Sequence, residues 1–251
     1  WKITGEIQFT DRTLKIQSVS ENGASRQVKI DGKPATQIEL GRHTRVLWLV
    51  PSMDRVWTEG AEGRRRFLDR IALSFFPEHA ENSLTYDKAM RERNRLLKEQ
   101  VRDAHWYSAL ESQMAKSGAA IDKARIRALE QISQAQADAT TQFPIAELTL
   151  QQSEGTLPET EADLLEAFSE SRFRDLAAGR TTVGPHKTDM YGAYAAKGVP
   201  ASDCSTGEQK ALLVSIILAN ARALAQDQGA PPLVLLDEIS AHLDMDRRAA
   251  L

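Results

Sequence analysis

The feature that most constrains the fold is a long apolar helix followed closely by an apolar strand. The segment from Cys204 to Leu224 reads CSTGEQKALLVSIILANARAL. Ser205 is suited to cap a helix, and Glu208, three residues later, completes a capping-box pattern. The helix that follows is predicted to be mostly buried, because its large apolar side chains leave little polar surface: Leu212, Leu213, Ile216, Ile217, Leu218 and Leu224.

The strand that follows, LVLLDE, has four apolar residues and then the acids Asp237 and Glu238. Such a run is typical of a parallel strand buried on both faces, and ligands of α/β proteins bind at the carboxyl ends of such strands. One acid there can hold Mg²⁺, and the next can orient or deprotonate a water. Taken singly, the strand is better explained by two surface acids, and the helix by an ordinary capped N-terminus.

Composition sets broad limits. The 251 residues include 32 basic and 35 acidic side chains, and a formal charge of −3 argues neither for nor against nucleic acid. The single cysteine, Cys204, excludes an internal disulfide and fits a reducing compartment. We expect no membrane-spanning segment, because no run of about 18 apolar residues occurs. The chain begins without Met and ends within a predicted helix, so we expect a fragment of a longer protein.

Periodicity divides the chain into strand-rich and helical parts. The first fifty residues predict strands, with a hairpin turn at Asp31-Gly32 and a buried strand, RVLWLV, that Pro51 stops. Four helices are then expected, with a short strand, FPIAELTLQ, before the last: one ended by Pro77, then about 81–101, about 104–140 and about 161–178. The third is either a long arm or two helices broken near Gly118. We therefore predict an α/β lobe made of residues 1–60 and 181–251, interrupted by a helical lobe of residues 61–180.

The order S-x-G-E-Q, apolar helix, apolar strand with Asp-Glu, and SAHLD resembles the ATP-binding cassette superfamily of P-loop NTPases. The resemblance implies an ATPase head with antiparallel strands, in which Asp237 coordinates Mg²⁺ and Glu238 is the catalytic base. It implies a D-loop from Ser240 to Asp244 that crosses a dimer interface. The signature residues would contact ATP held by a second subunit: Ser205, Thr206, Gly207 and Glu208.

Four phrases narrow the resemblance to the RecF family of bacterial SMC-like repair ATPases: STGEQKALLVS, VGPHKTDM, EGRRRFLDR and YDKAMRERNRLLKE. Lys187 stands where that family usually has Arg, which keeps the charge but loses bidentate geometry. The resemblance implies a cytoplasmic, DNA-binding ATPase of recombinational repair, replication and the SOS response. It would use ATP and Mg²⁺, form an ATP-dependent homodimer on gapped DNA, and support RecA loading with RecO and RecR.

The resemblance leaves one motif unaccounted for. A Walker A loop needs G-x-x-x-x-G-K-[ST], and the Gly32-Lys33 pair fails because Gln27 replaces the first glycine and Pro34 follows the lysine. We expect the loop to precede these residues in a longer protein. The chain by itself is therefore expected neither to bind ATP tightly nor to hydrolyse it.

Other candidates are weaker. Arg64, Arg65, Arg66 and Lys187 are candidate DNA contacts, as are arginines 91, 93 and 95, but arginines on a helix equally often face solvent or pair with acids such as Glu62 and Asp69. His186 lacks companions at metal-ligand spacing, so we expect no zinc site. Three tryptophans are expected in the core: Trp48, Trp57 and Trp106.

Two alternatives to the repair ATPase stay open at this point. One is a non-catalytic module that binds DNA or protein and merely retains the cassette scaffold. The other, less favoured, is a transporter ATPase subunit. That class usually reads LSGGQ and needs a surface that couples to membrane helices, whereas residues 61–180 resemble a charged helical arm.

Overall fold

The computed structural model describes residues 1–9, 12–21, 23–152 and 157–239, together with Met245 and Arg247. For Arg42 and Gln228 it describes only the backbone. These residues form two compact units, Trp1–Val46 and Leu47–Leu251. The predicted lobe boundaries near residues 60 and 180 stay a prediction. Among the described residues no helix combines the length and apolarity needed to cross a membrane.

The first unit is a four-stranded antiparallel sheet in the order β1-β2-β3-β4, followed by a short helix, α1. Asp31 and Gly32 form the predicted two-residue hairpin turn, since both have positive φ, 49° and 78°, as a type I′ turn requires. Thr36 caps α1 by accepting a hydrogen bond from the backbone N–H of Glu39. The bounds are β1 Lys2–Gln8, β2 Thr13–Val19, β3 Gln27–Ile30, β4 Lys33–Ala35 and α1 Gln37–His43.

In its described residues the second unit combines five α-helices with two small sheets, one of β5 and β9 and one in the antiparallel order β6-β7-β8. Its elements are β5 Val46–Leu49, α2 Ala61–Phe75, α3 His79–Lys98, α4 Ala104–Ala137, β6 Ala146–Gln152, α5 Glu161–Ala178, β7 Thr188–Tyr194, β8 Val199–Pro200, α6 Thr206–Gln228 and β9 Leu233–Leu236.

Helix α6 is the predicted apolar helix, and it lies in the core of the second unit. Its large apolar residues Leu212, Leu213, Ile216 and Ile217 are at most 1% exposed. They belong to a cluster that also contains Leu47 and Leu49 of β5, so the helix and the strand share one core.

Helix α4 is continuous over 34 residues, so neither a break at Gly118 nor a free arm is found. It packs against α3, α5 and α6. Gly118 fits because the helix needs a small residue there: a Cβ would lie 3.3 Å from side-chain atoms of Leu164 and Pro185. The glycine thus marks a close approach instead of a helix end.

Two expectations about burial are wrong. Strands β5 and β9 are buried on one face only, because Trp48, Leu233 and Leu235 are 37%, 56% and 51% exposed. Within the described residues this sheet has two strands, so the face away from the core has no covering layer. Trp57 is buried as expected, but Trp106 is 62% exposed on the first turn of α4.

A buried arginine ties three helices together. Arg93 of α3 is fully buried and donates hydrogen bonds to Glu111 of α4, at 3.0 and 3.1 Å, and to Asp175 of α5, at 2.6 Å. Both carboxylates are fully buried as well. A second arginine, Arg172, also pairs with Glu111. Because a buried charge without a partner is strongly unfavourable, each member of this cluster depends on the others.

We predict that Arg93→Met lowers the free energy of unfolding by about 3 kcal/mol or more, because it removes the cation paired with the buried Asp175 and leaves Glu111 with Arg172 alone. Urea titration followed by circular dichroism measures the loss. Arg95→Met is the matched control, since Arg95 lies on the same helix in an exposed pair with Glu92, and it should change stability by less than about 1 kcal/mol. Equal losses from Arg93→Met and Arg95→Met would contradict the role of Arg93 as the buried partner of Glu111 and Asp175.

Candidate nucleotide site

The N-terminus of α6 forms the predicted capping box. The Ser205 hydroxyl accepts from the backbone N–H of Glu208 at 3.4 Å, and the Glu208 carboxylate accepts from both the backbone N–H and the hydroxyl of Ser205 at 2.9 Å. Lys197, in the turn after β7, forms an ion pair with the same carboxylate. Ser205 and Thr206 are exposed, so the turn is accessible to a ligand.

These contacts set the charge of the turn. The hydrogen bond and charge of Lys197, together with the hydrogen bonds from Ser205, lower the pKa of Glu208 to about 2. The same ion pair raises the pKa of Lys197. Glu208 is therefore a carboxylate throughout the physiological range, and its charge is balanced by one ammonium.

The loop before α6 is fixed by Gln209. Its side-chain amide donates to the backbone carbonyl oxygens of Ser202 and Cys204, at 3.1 and 2.9 Å. Its backbone carbonyl accepts from the indole N–H of Trp57 at 3.3 Å. Trp57 in turn fills the space above Gly192 of β7, where a Cβ would lie 2.5 Å from the indole ring. The signature turn is thus held against β7 by packing as well as by hydrogen bonds.

The acid pair follows β9 as predicted. The backbone N–H of Asp237 donates to the carbonyl of Leu49 at 2.9 Å, which continues the pairing with β5 by one residue. Glu238 has a positive φ of 50°, which is uncommon for a residue other than glycine and turns the chain sharply there. Both side chains are exposed, and the described residues offer neither carboxylate a hydrogen-bond partner.

One lysine connects the turn and the acid pair. The ammonium of Lys210, in the second turn of α6, is buried; it donates to the carbonyl oxygen of Glu238 at 2.9 Å and lies 3.3 Å from Asp54 Oδ2. The other oxygen, Asp54 Oδ1, is buried and has no partner among the described atoms. Lys210 therefore fixes the backbone of the proposed catalytic base relative to the signature helix.

Among the described residues no group of three or more His, Cys, Asp or Glu side chains forms a metal cluster. Magnesium does not need one, since it commonly uses one or two carboxylates, substrate phosphates and water. The free carboxylate of Asp237 and the unpartnered Oδ1 of Asp54 are oxygen ligands of the type that Mg²⁺ prefers. The predicted D-loop residues Ser240 and Asp244 lie outside the described residues.

The GPHK loop lies inside the second unit. A Cβ on Gly184, which has a φ of 116°, would lie 2.4 Å from the hydroxyl of Tyr86, and the carbonyl of Pro185 accepts from Arg125 at 2.8 Å. His186 contacts the Tyr86 hydroxyl through Nδ1 at 2.8 Å and the Thr181 carbonyl through Nε2 at 3.2 Å. Burial lowers the pKa of His186 to about 4. The imidazole is therefore a neutral packing residue, and both its nitrogens are occupied.

The candidate DNA contacts divide into paired and free cations. Arg64 makes a bidentate pair with Asp189, at 2.7 to 3.1 Å, and donates to a backbone carbonyl. Arg66 pairs with Glu62 as expected. Arg65 and Lys187 are half-buried near His186, and the described residues offer neither an acidic partner. Two expectations are wrong: Asp69 pairs with Arg125 and not with an arginine of residues 64–66, and Arg93 is a buried structural residue and not a DNA contact.

Comparison with known proteins identifies the family. The chain is 46% identical over 254 residues to the DNA replication and repair protein RecF of Brucella suis biovar 1 (strain 1330), covering 97% of this chain and 65% of that protein. It is 43% identical to RecF of Rhizobium rhizogenes (strain K84 / ATCC BAA-868), covering all of this chain and 70% of that protein. The chain belongs to the RecF family. It thus spans about two thirds of the length of these relatives.

Solved structures agree with the RecF assignment at the level of the fold. A recombination mediator protein RecF of the RecFOR pathway, solved with ATP, superimposes with a TM-score of 0.83 at 22% identity, over 99% of this chain and 69% of that one. The predicted α/β ATPase head with antiparallel strands and a helical insertion is therefore confirmed. A scan against models of protein families gives no match.

Sequence reasoning missed the contacts of three residues at this candidate site: Lys197, Lys210 and Asp54. The signal for Lys210 was present, because a lysine directly before the apolar run of a buried helix must find a partner in the interior. Neither Lys197 nor Asp54 stands out by spacing, since their partners lie 11 and 156 residues away along the chain. Only the folded chain brings them to the site.

We predict that Lys210→Met lowers the free energy of unfolding by about 2 to 4 kcal/mol, because it leaves the carboxylate of Asp54 and the carbonyl of Glu238 without their donor. Adding Asp54→Asn should recover part of the loss by removing the unpaired charge. Chemical denaturation of both variants measures this, with Lys123→Met, an exposed lysine of α4, as control. If the double variant loses as much stability as Lys210→Met and Asp54→Asn do separately when summed, the contact between Lys210 and Asp54 is contradicted.

We also predict a pH dependence that belongs to His186. Its folded-state pKa lies below the ordinary value of 6.5, so the unfolded chain binds the extra proton between about pH 6.5 and pH 4. Stability is therefore highest above pH 6.5 and falls by about 2 kcal/mol between pH 7 and pH 5. In His186→Asn this part of the slope should vanish, whereas His105→Asn, at an exposed position, should keep it. Parallel curves for all three proteins would exclude His186 as the cause.

Proposed function

We propose that the protein containing this chain is an ATPase of DNA replication and repair in which two copies share each ATP. The observation that carries the proposal is the contact of Lys210 with the carbonyl of Glu238, which joins an exposed capped helix turn to an exposed acid pair. Family membership supports it, because a RecF has been solved with ATP.

One copy supplies the acid pair. Asp237 would hold Mg²⁺ with the aid of phosphate oxygens and water, and the metal neutralises phosphate charge when bound. Glu238 accepts a proton from the attacking water. Its φ of 50° turns the chain after the strand, and the bond from Lys210 fixes its carbonyl.

The other copy supplies the signature turn. Ser205 and Thr206 are exposed, and Gly207 and Glu208 follow in the first turn of α6, where backbone N–H groups and the helix dipole favour a phosphate. Ser205 precedes Lys210 by five residues, or about 7.5 Å of helix. The turn is thus displaced from the acid pair of its own copy, and a γ-phosphate bound at Asp237 meets Ser205 of a second copy. The D-loop, Ser240 to Asp244, would lie between the copies.

DNA contact is the second part of the proposal. Arg65 and Lys187 lie near His186 and have no acidic partner among the described residues, whereas Arg64 is paired with Asp189. Phosphate binding by such residues is independent of sequence and weakens with salt. We propose that the ATP-bound dimer acts on gapped DNA in the cytoplasm, where it supports RecA loading with RecO and RecR.

We predict that Glu238→Gln in the full-length protein accumulates an ATP-bound dimer, because ATP closes the dimer and hydrolysis no longer opens it. Ser205→Arg should prevent ATP-dependent dimerisation, because a large side chain then occupies the turn that receives the phosphate. Light scattering measures the dimer, and phosphate release measures turnover.

Matched controls are Glu99→Gln and Ser169→Arg, both at exposed positions of helices or helix ends away from the site, and they should behave as the parent does. If neither Glu238→Gln nor Ser205→Arg changes turnover or dimerisation, the ATPase proposal fails. The alternative of a non-catalytic binding module would then be favoured.

A further inference from the structure

An acid lies where the proposed site must receive an anion. The Glu208 carboxylate accepts two hydrogen bonds from Ser205, so its negative charge is in direct contact with the residue that would meet a phosphate. Like charges a few ångströms apart repel by several-fold more at a partly dehydrated interface than in bulk water. A signature turn with a bare carboxylate would therefore weaken the interaction that it is proposed to make.

The cation that balances this acid comes from a neighbouring hairpin. Lys197 lies in the tight turn that joins β7 to β8, where the backbone N–H groups of Lys197 and Gly198 both donate to the carbonyl of Tyr194, at 3.0 and 2.9 Å. Gly198 has a φ of 62°, which the turn requires. The ammonium lies 5.3 Å from the centre of the Tyr194 ring and pairs with Glu208. The lysine is thus positioned from outside the helix, by a rigid turn.

The other titratable groups near this pair do not replace the lysine. Asp203 adds negative charge, and burial raises the pKa of the Cys204 thiol, so neither supplies a cation. In the described part of the chain, Lys197 is the cation found in contact with Glu208. The helix residue Lys210 is directed inward, to Asp54 and the carbonyl of Glu238.

We propose that Lys197 is a positioning residue of the signature site, which neutralises Glu208 and keeps the Ser205 turn able to receive the γ-phosphate of ATP bound to a second copy. The inference rests on the proposed function and names a further residue of the same site. Lys197 acts through Glu208: with the lysine present, the carboxylate keeps the serine hydroxyl in place without opposing the incoming phosphate.

The test uses the full-length protein with ATP. Lys197→Met should raise the dissociation constant of the ATP-dependent dimer about tenfold, while ATP binding to the monomer stays unchanged, because in the proposed site a copy holds its own ATP at the acid pair and not at the signature turn. Lys197→Arg should restore dimerisation, because it restores the charge. The effect should shrink at high salt, as expected for a partly exposed charge. Lys123→Met, which removes an exposed lysine of α4, is the control and should have no effect.

A double variant separates this role from others. In Lys197→Met with Glu208→Gln the acid is gone and the capping box is kept, since glutamine serves at that position. Dimerisation should then return to near the parent level. A double variant as weak as Lys197→Met alone would overturn the inference, because the lysine would then act on the phosphate or on the fold.

The failure of this inference can be told from that of the proposed function. If Ser205→Arg blocks the ATP-dependent dimer and Lys197→Met leaves it unchanged, Lys197 has no positioning role and the shared site stands. If Ser205→Arg is silent as well, the shared site is wrong and the role of Lys197 falls with it.

Discussion

The ammonium of Lys210 lies inside the protein, between the second turn of α6 and the end of β9, and the candidate site is arranged around it. Its contacts with the Glu238 carbonyl and with Asp54 join residues more than 150 positions apart along the chain. Because burying a charge is costly unless it is paired, the lysine is stable there only while both partners are in place. The exposed acid pair and the exposed signature turn are thereby held together in each copy and are not two independent loops.

In the helical part of the second unit, buried arginines likewise join distant parts of the chain through paired charges. Arg93 connects α3 to α4 and α5, and Arg125 connects α4 to Asp69 of α2 and to the carbonyl of Pro185. Burial raises the pKa of Asp69, but hydrogen bonds from His79 and Arg125 and the charge of Arg125 outweigh it, so the net pKa is lowered. The bond from Arg125 to Pro185 fixes the GPHK loop, and Lys187 and Arg65 both lie near His186.

Local features of the sequence predicted local structure well. The capping box at Ser205, the hairpin turn at Asp31-Gly32 and the helix of residues 161–178 all depend on residues close together in the chain, and all are found as predicted. The acid pair and the signature turn of the site were predictable, because each is a short sequence motif. The burial of single residues and the pairing of charges were not predictable where they depend on distant partners: Trp106 is exposed, Arg93 is buried, and α4 continues through its glycine. The same reason explains why Lys210 and Lys197 were missed.

In the proposed dimer, each ATP site is built from two copies: one contributes the acid pair and the other the signature turn. Mixing full-length Glu238→Gln with full-length Ser205→Arg before ATP is added tests this most directly, with steady-state ATP hydrolysis as the measurement. In a mixed dimer one site carries both substitutions, and the other carries neither. Hydrolysis by the mixture should therefore exceed the sum of the two variants measured alone. If the mixture shows no more than that sum, the turn and the acids act within a single copy, and the shared site is contradicted.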